Sequence, residues 1–302
     1  MNVDRFELLE LIGEGPLGKV WKAIDTGDTR LCAVRLVDET DVTRVEALLA
    51  AARRAAAIRD PRVVEVRDAG THGGQVWVSM ELCAGRTLAE VLAEEGPFAP
   101  ERLVEVGCSL CAALEAGHRG GVVHRDLQPS SVMLTGAGIK VMDFGLAHAR
   151  ESTANGRYAS PEAQLGYQVD RRSDLYSLGV LLFELATGSA FEHPEDDAPL
   201  ALGDQLPPAL AGVLLRLLHK DAGARFRSAA AVAEALEKSV ATASPRRRRW
   251  RWVGAGLALA GLVAVGLVAR HRFGVLVPTS TFFVGCSVAP SGLQNSDAIR
   301  LR

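Results

Sequence analysis

"VVHRDLQPSSVMLTGAGIKVMDFG", residues 122–145, decides how the rest of the chain is read. It carries two short motifs built around an acid, His124-Arg125-Asp126-Leu127 and Asp143-Phe144-Gly145. Upstream, Gly13-Glu14-Gly15-Pro16-Leu17-Gly18-Lys19-Val20 gives G-x-G-x-x-G-x-V between two strand-like runs, and downstream stands Ser160-Pro161-Glu162. The glycine pattern alone is a weak signal, and its dinucleotide-binding reading fails because a strand follows it rather than a helix. Four motifs in this order and at these spacings do not assemble by chance.

The flanking sequence changes character along the chain. "FELLELIGEG", "GKVWKAID", "LCAVRLVD", "VVEVRDAG" and "QVWVSMEL" read as short strands separated by Gly and Asp turns. "DVTRVEALLAAARRAAAI", residues 41–58, reads as a helix stopped by Asp60-Pro61. From Thr87 onward the pattern turns helical, as in "TLAEVLAEE", "ERLVEVGCSLCAALEAGH", "SDLYSLGVLLFELATG", "ALAGVLLRLLHK" and "SAAAVAEALEK". A small sheet-rich lobe followed by a larger helical one is an α+β plan with a cleft between its parts.

On these motifs the chain resembles a protein kinase. Ser160-Pro161-Glu162 together with "SDLYSLG", residues 173–179, most resembles the bacterial serine/threonine kinases that carry a C-terminal membrane span. The resemblance covers residues 5–240 and implies a two-lobed fold, with an N-lobe over 5–83 and a C-lobe over 84–240. It also implies roles. Asp126 matches the catalytic base that accepts the proton of a substrate hydroxyl, and Asp143 matches the metal-binding aspartate, for Mg or Mn. Gly13, Gly15 and Gly18 match the loop over the ATP phosphates. Val20 and Ala33 match the cover of the adenine, Met133 its floor, Met80 the gatekeeper, and Glu81 to Cys83 the hinge. Asp174, Glu162 and Arg225 match residues that brace the helical lobe.

Departures from the family pattern gather around the phosphates. Arg35 stands where the ATP-gripping lysine belongs, and a guanidinium fork is not a conservative replacement for an ammonium. Counting back from Asp60-Pro61 places Ala51 at the position of that lysine's glutamate partner. Glu46, the nearest acid, lies about 140° round the helix axis and is expected to face elsewhere. In the catalytic loop, Gln128 replaces a phosphate lysine and Ser131 replaces the asparagine that ligates the second metal. Asn155 falls where a threonine often contacts the base, and Ser152 and Thr153 are the serine and threonine hydroxyls between Gly145 and Ser160.

Charge is divided unevenly. Of 34 Lys and Arg and 36 Asp and Glu, nine arginines and the single acid Asp297 lie after Ser244. The first 244 residues therefore hold 25 basic and 35 acidic side chains, which argues against a nucleic-acid partner; the family resemblance implies protein partners or substrates in the cytoplasm. Five cysteines form no disulfide framework, and Cys108 and Cys111 read as small core residues of a helix. "WVGAGLALAGLVAVGLVA", residues 252–269, spans about 27 Å as a helix, the thickness of a bilayer core. The basic linker before it, 241–251, contains "RRRRWR" and sets the expected orientation: kinase-like domain cytoplasmic, residues 270–302 outside, and the chain in the plasma (inner) membrane. Gly256, Ala260 and Ala264 recur every fourth residue, and Cys286 stands alone in the tail; a homodimer is left open by both.

Two functional readings follow. One is a membrane-anchored pseudokinase, a signalling module that keeps an ATP pocket and has lost or weakened phosphoryl transfer. The alternative is an active but atypical serine/threonine kinase in which Arg35 takes over the lysine's work.

Overall fold

The computed structural model describes residues 1–15, 17–146, 156–192, 202 and 206–241. Ser152, Thr153, Asn155, the linker beyond Ala241, the expected span 252–269 and the tail 270–302 lie outside the described residues. Among the described residues no helix is long and apolar enough to cross a membrane.

Six antiparallel strands build the first lobe: β1 (Asn2–Val3), β2 (Phe6–Gly15), β3 (Gly18–Asp25), β4 (Arg30–Asp38), β5 (Val66–His72) and β6 (Gln75–Met80), in the order β1-β2-β3-β4-β6-β5. Alternation along β4 divides its side chains between two apolar layers. Cys32, Val34 and Leu36 pack with Phe6, Leu8 and Trp77 on one face, where the Phe6 and Trp77 rings meet edge-on at 4.9 Å. Ala33 packs on the opposite face with Val78, Met80 and helix α1 (Val42–Ala55).

Asp41 caps α1 by accepting a hydrogen bond from the Arg44 amide at 3.1 Å. The helix buries Leu48, Ala51, Ala52 and Ala55 and leaves Glu46 exposed, as the angular argument requires. It ends at Ala55, three residues before the expected Ile58. There the chain tightens into i→i+3 turns, and Ile58 leaves the helix to join the core of the second lobe. Burial of one aliphatic side chain outweighs a last helical turn.

The second lobe is built on α3 (Pro100–Arg119) and α5 (Arg171–Thr187), with α2 (Leu88–Glu95), α4 (Pro161–Gln164), α6 (Pro208–Leu217) and α7 (Ala229–Ala241) around them. Thr87 and Glu90 close a reciprocal capping box at the start of α2. Helix α5 is buried nearly all round and stops at Gly188, whose φ of 69° suits the left-handed cap. Cys111 is fully buried and Cys108 donates weakly to the Ala233 carbonyl, so both serve as core residues. A small sheet, β7 (Gly85–Thr87), β8 (Val132–Thr135) and β9 (Gly138–Val141), carries the residues that face the first lobe. Backbone bonds from Val64 to Val141 (2.9 Å) and from Val141 to Arg62 (2.7 Å) tie the lobes together behind it.

Candidate functional site

Strand register assembles the upper wall of the cleft. Val20 pairs with Arg35 and Arg35 with Val78, while Ala33 pairs with Met80, so the nucleotide candidates of β3, β4 and β6 sit side by side. Met80 is buried and Val20 half-buried. The glycine hairpin pairs Gly13 with Val20 and Gly15 with Gly18. Gly18 alone is sterically forced: its φ is 99°, and a Cβ there would lie 2.0 Å from the Leu36 carbonyl oxygen. Between the glycines, Leu17 is 6 % exposed and belongs to the same apolar cluster as Ala51 and Leu146, an inward turn that the glycine pattern does not signal.

At the back of the cleft the Glu81 amide donates to the Glu65 carbonyl, and its carboxylate takes Lys140 Nζ at 2.8 Å. Cys83 next to it is half-buried, and burial pushes its thiol pKa up, with Glu81 adding to the shift. Met133 lies on β8, paired with Thr87 on one side and Lys140 on the other.

Arg35 is 8 % exposed. Its Nη2 donates to both carboxylate oxygens of Asp143, each at 2.7 Å, while its Nε is buried without a partner. Ala51, 1 % exposed on the inner face of α1, offers no carboxylate, and Glu46 faces solvent. Asp143 is therefore the acid that neutralises Arg35, a pairing between residues 108 apart that the motif comparison did not anticipate.

Asp143 holds a φ of 59°, which costs a non-glycine residue about 1–2 kcal/mol. Packing of its neighbour fixes it. Phe144 is 2 % exposed and meets the His124 ring edge-on at 4.8 Å. Gly117 of α3 makes the space, since a Cβ there would lie 2.2 Å from the Phe144 ring. His124 Nε2 also bonds the Met142 carbonyl at 2.9 Å and so links the two motifs.

The catalytic loop is strained in the same way, with Arg125 at a φ of 71°. Asp174, fully buried on α5, holds it by accepting from the His124 amide and the Arg125 amide, both at 2.8 Å. His118 Nε2 bonds the same carboxylate at 2.6 Å, an interaction that nothing in the sequence pattern marked. Burial pulls the Arg125 guanidinium below its usual pKa; Asp174 opposes the shift and the positive charge of Arg54 adds to it.

Gln128 Nε2 donates to Asp126 Oδ1 at 3.0 Å. Ser131 accepts from the Gln128 amide at 3.0 Å and donates to the Gln128 carbonyl at 2.9 Å, so its hydroxyl is engaged within the loop. Among the described residues no group of three or more His, Cys, Asp or Glu is placed to hold a metal ion.

Next to this loop lies a cavity of about 690 Å³, lined by Leu92, Gln128, Pro129, Tyr158, Arg157 and Glu184 among others. Glu184 takes Arg157 Nη2 at 2.8 Å and the Tyr158 hydroxyl, and burial together with that carboxylate pushes the Tyr158 pKa up. Beneath it Glu162 and Arg225 form a bidentate pair at 2.7 and 2.8 Å. The remaining Arg225 donors reach the carbonyls of Arg172, His219 and Lys220, so all five are satisfied. Burial opposes ionisation of Glu162, but the bonds from Arg225 and Ser173 hold its carboxyl down to about 2.

Comparison with known proteins agrees with this geometry. The model of the protein kinase domain family matches residues 6–231. The serine/threonine-protein kinase PknB of Mycolicibacterium smegmatis is 34 % identical over 260 residues, covering 75 % of this chain and 41 % of that protein. A probable serine/threonine-protein kinase of Streptomyces coelicolor is 36 % identical over 258 residues, covering 74 % of this chain and 38 % of its own length. The chain thus spans about two fifths of the curated relatives it matches. The crystal structure of a cysteine-to-alanine mutant of the Mycobacterium tuberculosis PknI kinase domain superposes with a TM-score of 0.70 at 25 % identity, over 80 % of this chain and 97 % of that one. With the glycine hairpin, the strained catalytic loop and the Asp143-Phe144-Gly145 turn in one two-lobed fold, the chain belongs to the bacterial serine/threonine protein kinase family.

Proposed function

We propose that this domain is a kinase-fold signalling module with phosphoryl transfer lost or strongly reduced, and with a nucleotide cleft retained. One observation carries the reading. The side chains at both phosphate-lysine positions are turned onto the acids the reaction needs: Arg35 onto Asp143 at 2.7 Å and Gln128 onto Asp126 at 3.0 Å. Phosphoryl transfer asks a protein chiefly for positioning and charge stabilisation, so donors bound to the protein's own carboxylates are withdrawn from the phosphates. Losing one such donor commonly costs about 10²–10³ in rate, and several losses combine without simply multiplying.

The donor set also fits a divalent cation poorly. Mg²⁺ in such sites takes one or two carboxylates together with substrate phosphates. Here Asp143 is already neutralised by a guanidinium, and Ser131 is bound into its own loop.

The second reading, an active but atypical serine/threonine kinase, draws support from the intact scaffold. Asp126 and Asp143 are present, Asp174 braces the loop, and the relatives quoted above are named serine/threonine-protein kinases. Labelling separates the two. The purified chain is incubated with radiolabelled ATP, Mg²⁺ or Mn²⁺ and a generic protein acceptor, beside an Asp126→Asn control. Little or no label above that control is the expected result; incorporation that disappears in Asp126→Asn refutes the first reading.

Membrane attachment belongs to the same proposal. Its support is the uncharged run 252–269 behind "RRRRWR", which favours a cytoplasmic kinase domain. Protease added outside intact cells is expected to remove only the tail beyond Arg270. Digestion of the kinase domain in that experiment inverts the topology.

A further inference from the structure

We propose that this cleft binds its nucleotide without a divalent cation, with Arg35 standing in for the metal. The inference rests on reading the cleft as a nucleotide site. It starts from what Ala51 does to Arg35. With no carboxylate on the inner face of α1, the nearest acid that compensates the buried guanidinium is Asp143, the residue a metal would need.

The two cations exclude each other. An arginine cannot shed its proton in a protein, so it stays positive. A Mg²⁺ bound to a carboxylate oxygen sits about 2.1 Å from it. Arg35 Nη2 is already 2.7 Å from both Asp143 oxygens, so a metal on either oxygen meets a fixed positive charge at close range. The metal must displace Arg35 to bind, and the buried face of α1 offers no acid to receive the displaced charge, since Glu46 faces solvent.

Arg35 is nonetheless not saturated. A full bidentate pair uses two guanidinium nitrogens, as Arg225 does on Glu162. Arg35 serves both oxygens of Asp143 with Nη2 alone, and its buried Nε has no acceptor at all. A guanidinium with donors left over in the phosphate part of a cleft is chemically matched to phosphate oxygens. The ligand class is a nucleoside triphosphate carrying its full negative charge, rather than its metal complex.

The experiment is ATP binding to the purified chain, by calorimetry and thermal shift, in excess EDTA and in excess Mg²⁺. The expected dissociation constant in EDTA is no weaker than that in Mg²⁺. In EDTA, Arg35→Ala should weaken binding by about 10- to 100-fold, the worth of one charge-assisted hydrogen bond. Asp143→Asn should strengthen it, because Arg35 is released toward the phosphates. Binding that appears only with Mg²⁺, or that Asp143→Asn abolishes, overturns the proposal and leaves the reading of lost transfer intact. Absence of ATP binding under every condition overturns both this inference and the nucleotide cleft, whereas the radiolabel assay alone decides transfer. If Arg35→Ala does not fold, the wild-type comparison between EDTA and Mg²⁺ decides the question unaided.

Discussion

Replacing Asp174 by asparagine tests whether the catalytic loop is held as described. The carboxylate is fully buried and receives three hydrogen bonds: Oδ1 from the Arg125 amide, and Oδ2 from the His124 amide and His118 Nε2. Asparagine has one acceptor oxygen. In its better orientation the oxygen replaces Oδ2 and keeps two bonds, while the new NH₂ points at the Arg125 amide. Two donors then face each other, and each unsatisfied buried donor costs about 1–3 kcal/mol. The two surviving bonds lose their ionic character and about half their strength. Relief from burying a charge offsets part of the loss, so the net destabilisation is about 3–5 kcal/mol.

For a domain of this size that corresponds to a fall in Tm of roughly 6–20 °C. Equilibrium urea unfolding of Asp174→Asn against wild type measures it, with an unchanged m value showing that the folded state keeps its compactness. A loss below about 1 kcal/mol, the range of an ordinary surface substitution, refutes the idea that this carboxylate sustains the strained φ of Arg125.

Three further outcomes follow. Arg225→Ala should cost about 2–4 kcal/mol by leaving the partly buried Glu162 carboxylate with the Ser173 hydroxyl but no counter-charge. Because Glu162 is held at about 2 when folded, its contribution is present above its ordinary pKa near 4.5 and is lost as pH falls toward 2. Wild type should therefore lose more stability than Arg225→Ala across that window, as acid titration of unfolding will show. Gly117→Ala should cost about 1–3 kcal/mol, since its Cβ would lie 2.2 Å from the Phe144 ring, and should displace Phe144 from His124; unfolding measurements and the crystal structure of the variant check both. Restoring the family residues together, Arg35→Lys, Ala51→Glu, Gln128→Lys and Ser131→Asn, should raise radiolabel transfer by at least about 10², while any one alone does little.

Much of this site was legible in the sequence because its parts are local. A glycine hairpin and an acid in a short loop are set by neighbouring residues, so motif and spacing identify them. The outward turn of Glu46 followed from the helix period, and Ala51 is buried on the inner face of α1. What spacing did not disclose was partner choice across the fold. His118 meets Asp174 from 56 residues away, Arg157 meets Glu184 from 27, and Arg35 meets Asp143 from 108. The sequence shows that a charge has lost its usual partner; only packing shows which acid takes its place. Ile58 marks the same limit, since propensity continues a helix that the second lobe's core interrupts.

That limit bears on how the four departures are understood. As separate substitutions, Arg35, Gln128 and Ser131 each alter one contact to a nucleotide or metal, and Ala51 removes the carboxylate that would pair with residue 35. In the fold they form closed circuits: Ala51 releases Arg35 to Asp143, Gln128 secures Asp126, and Ser131 ties Gln128's backbone in place. Each acid of the reaction centre has an internal donor, Arg35 for Asp143 and Gln128 for Asp126. Reversing one member leaves the others opposed to it: a lysine at 128 alone uncovers Asp126, but Arg35 still neutralises Asp143. Recovery of transfer should therefore be cooperative across the four positions, and a stepwise, additive recovery would show that the circuits are independent contacts.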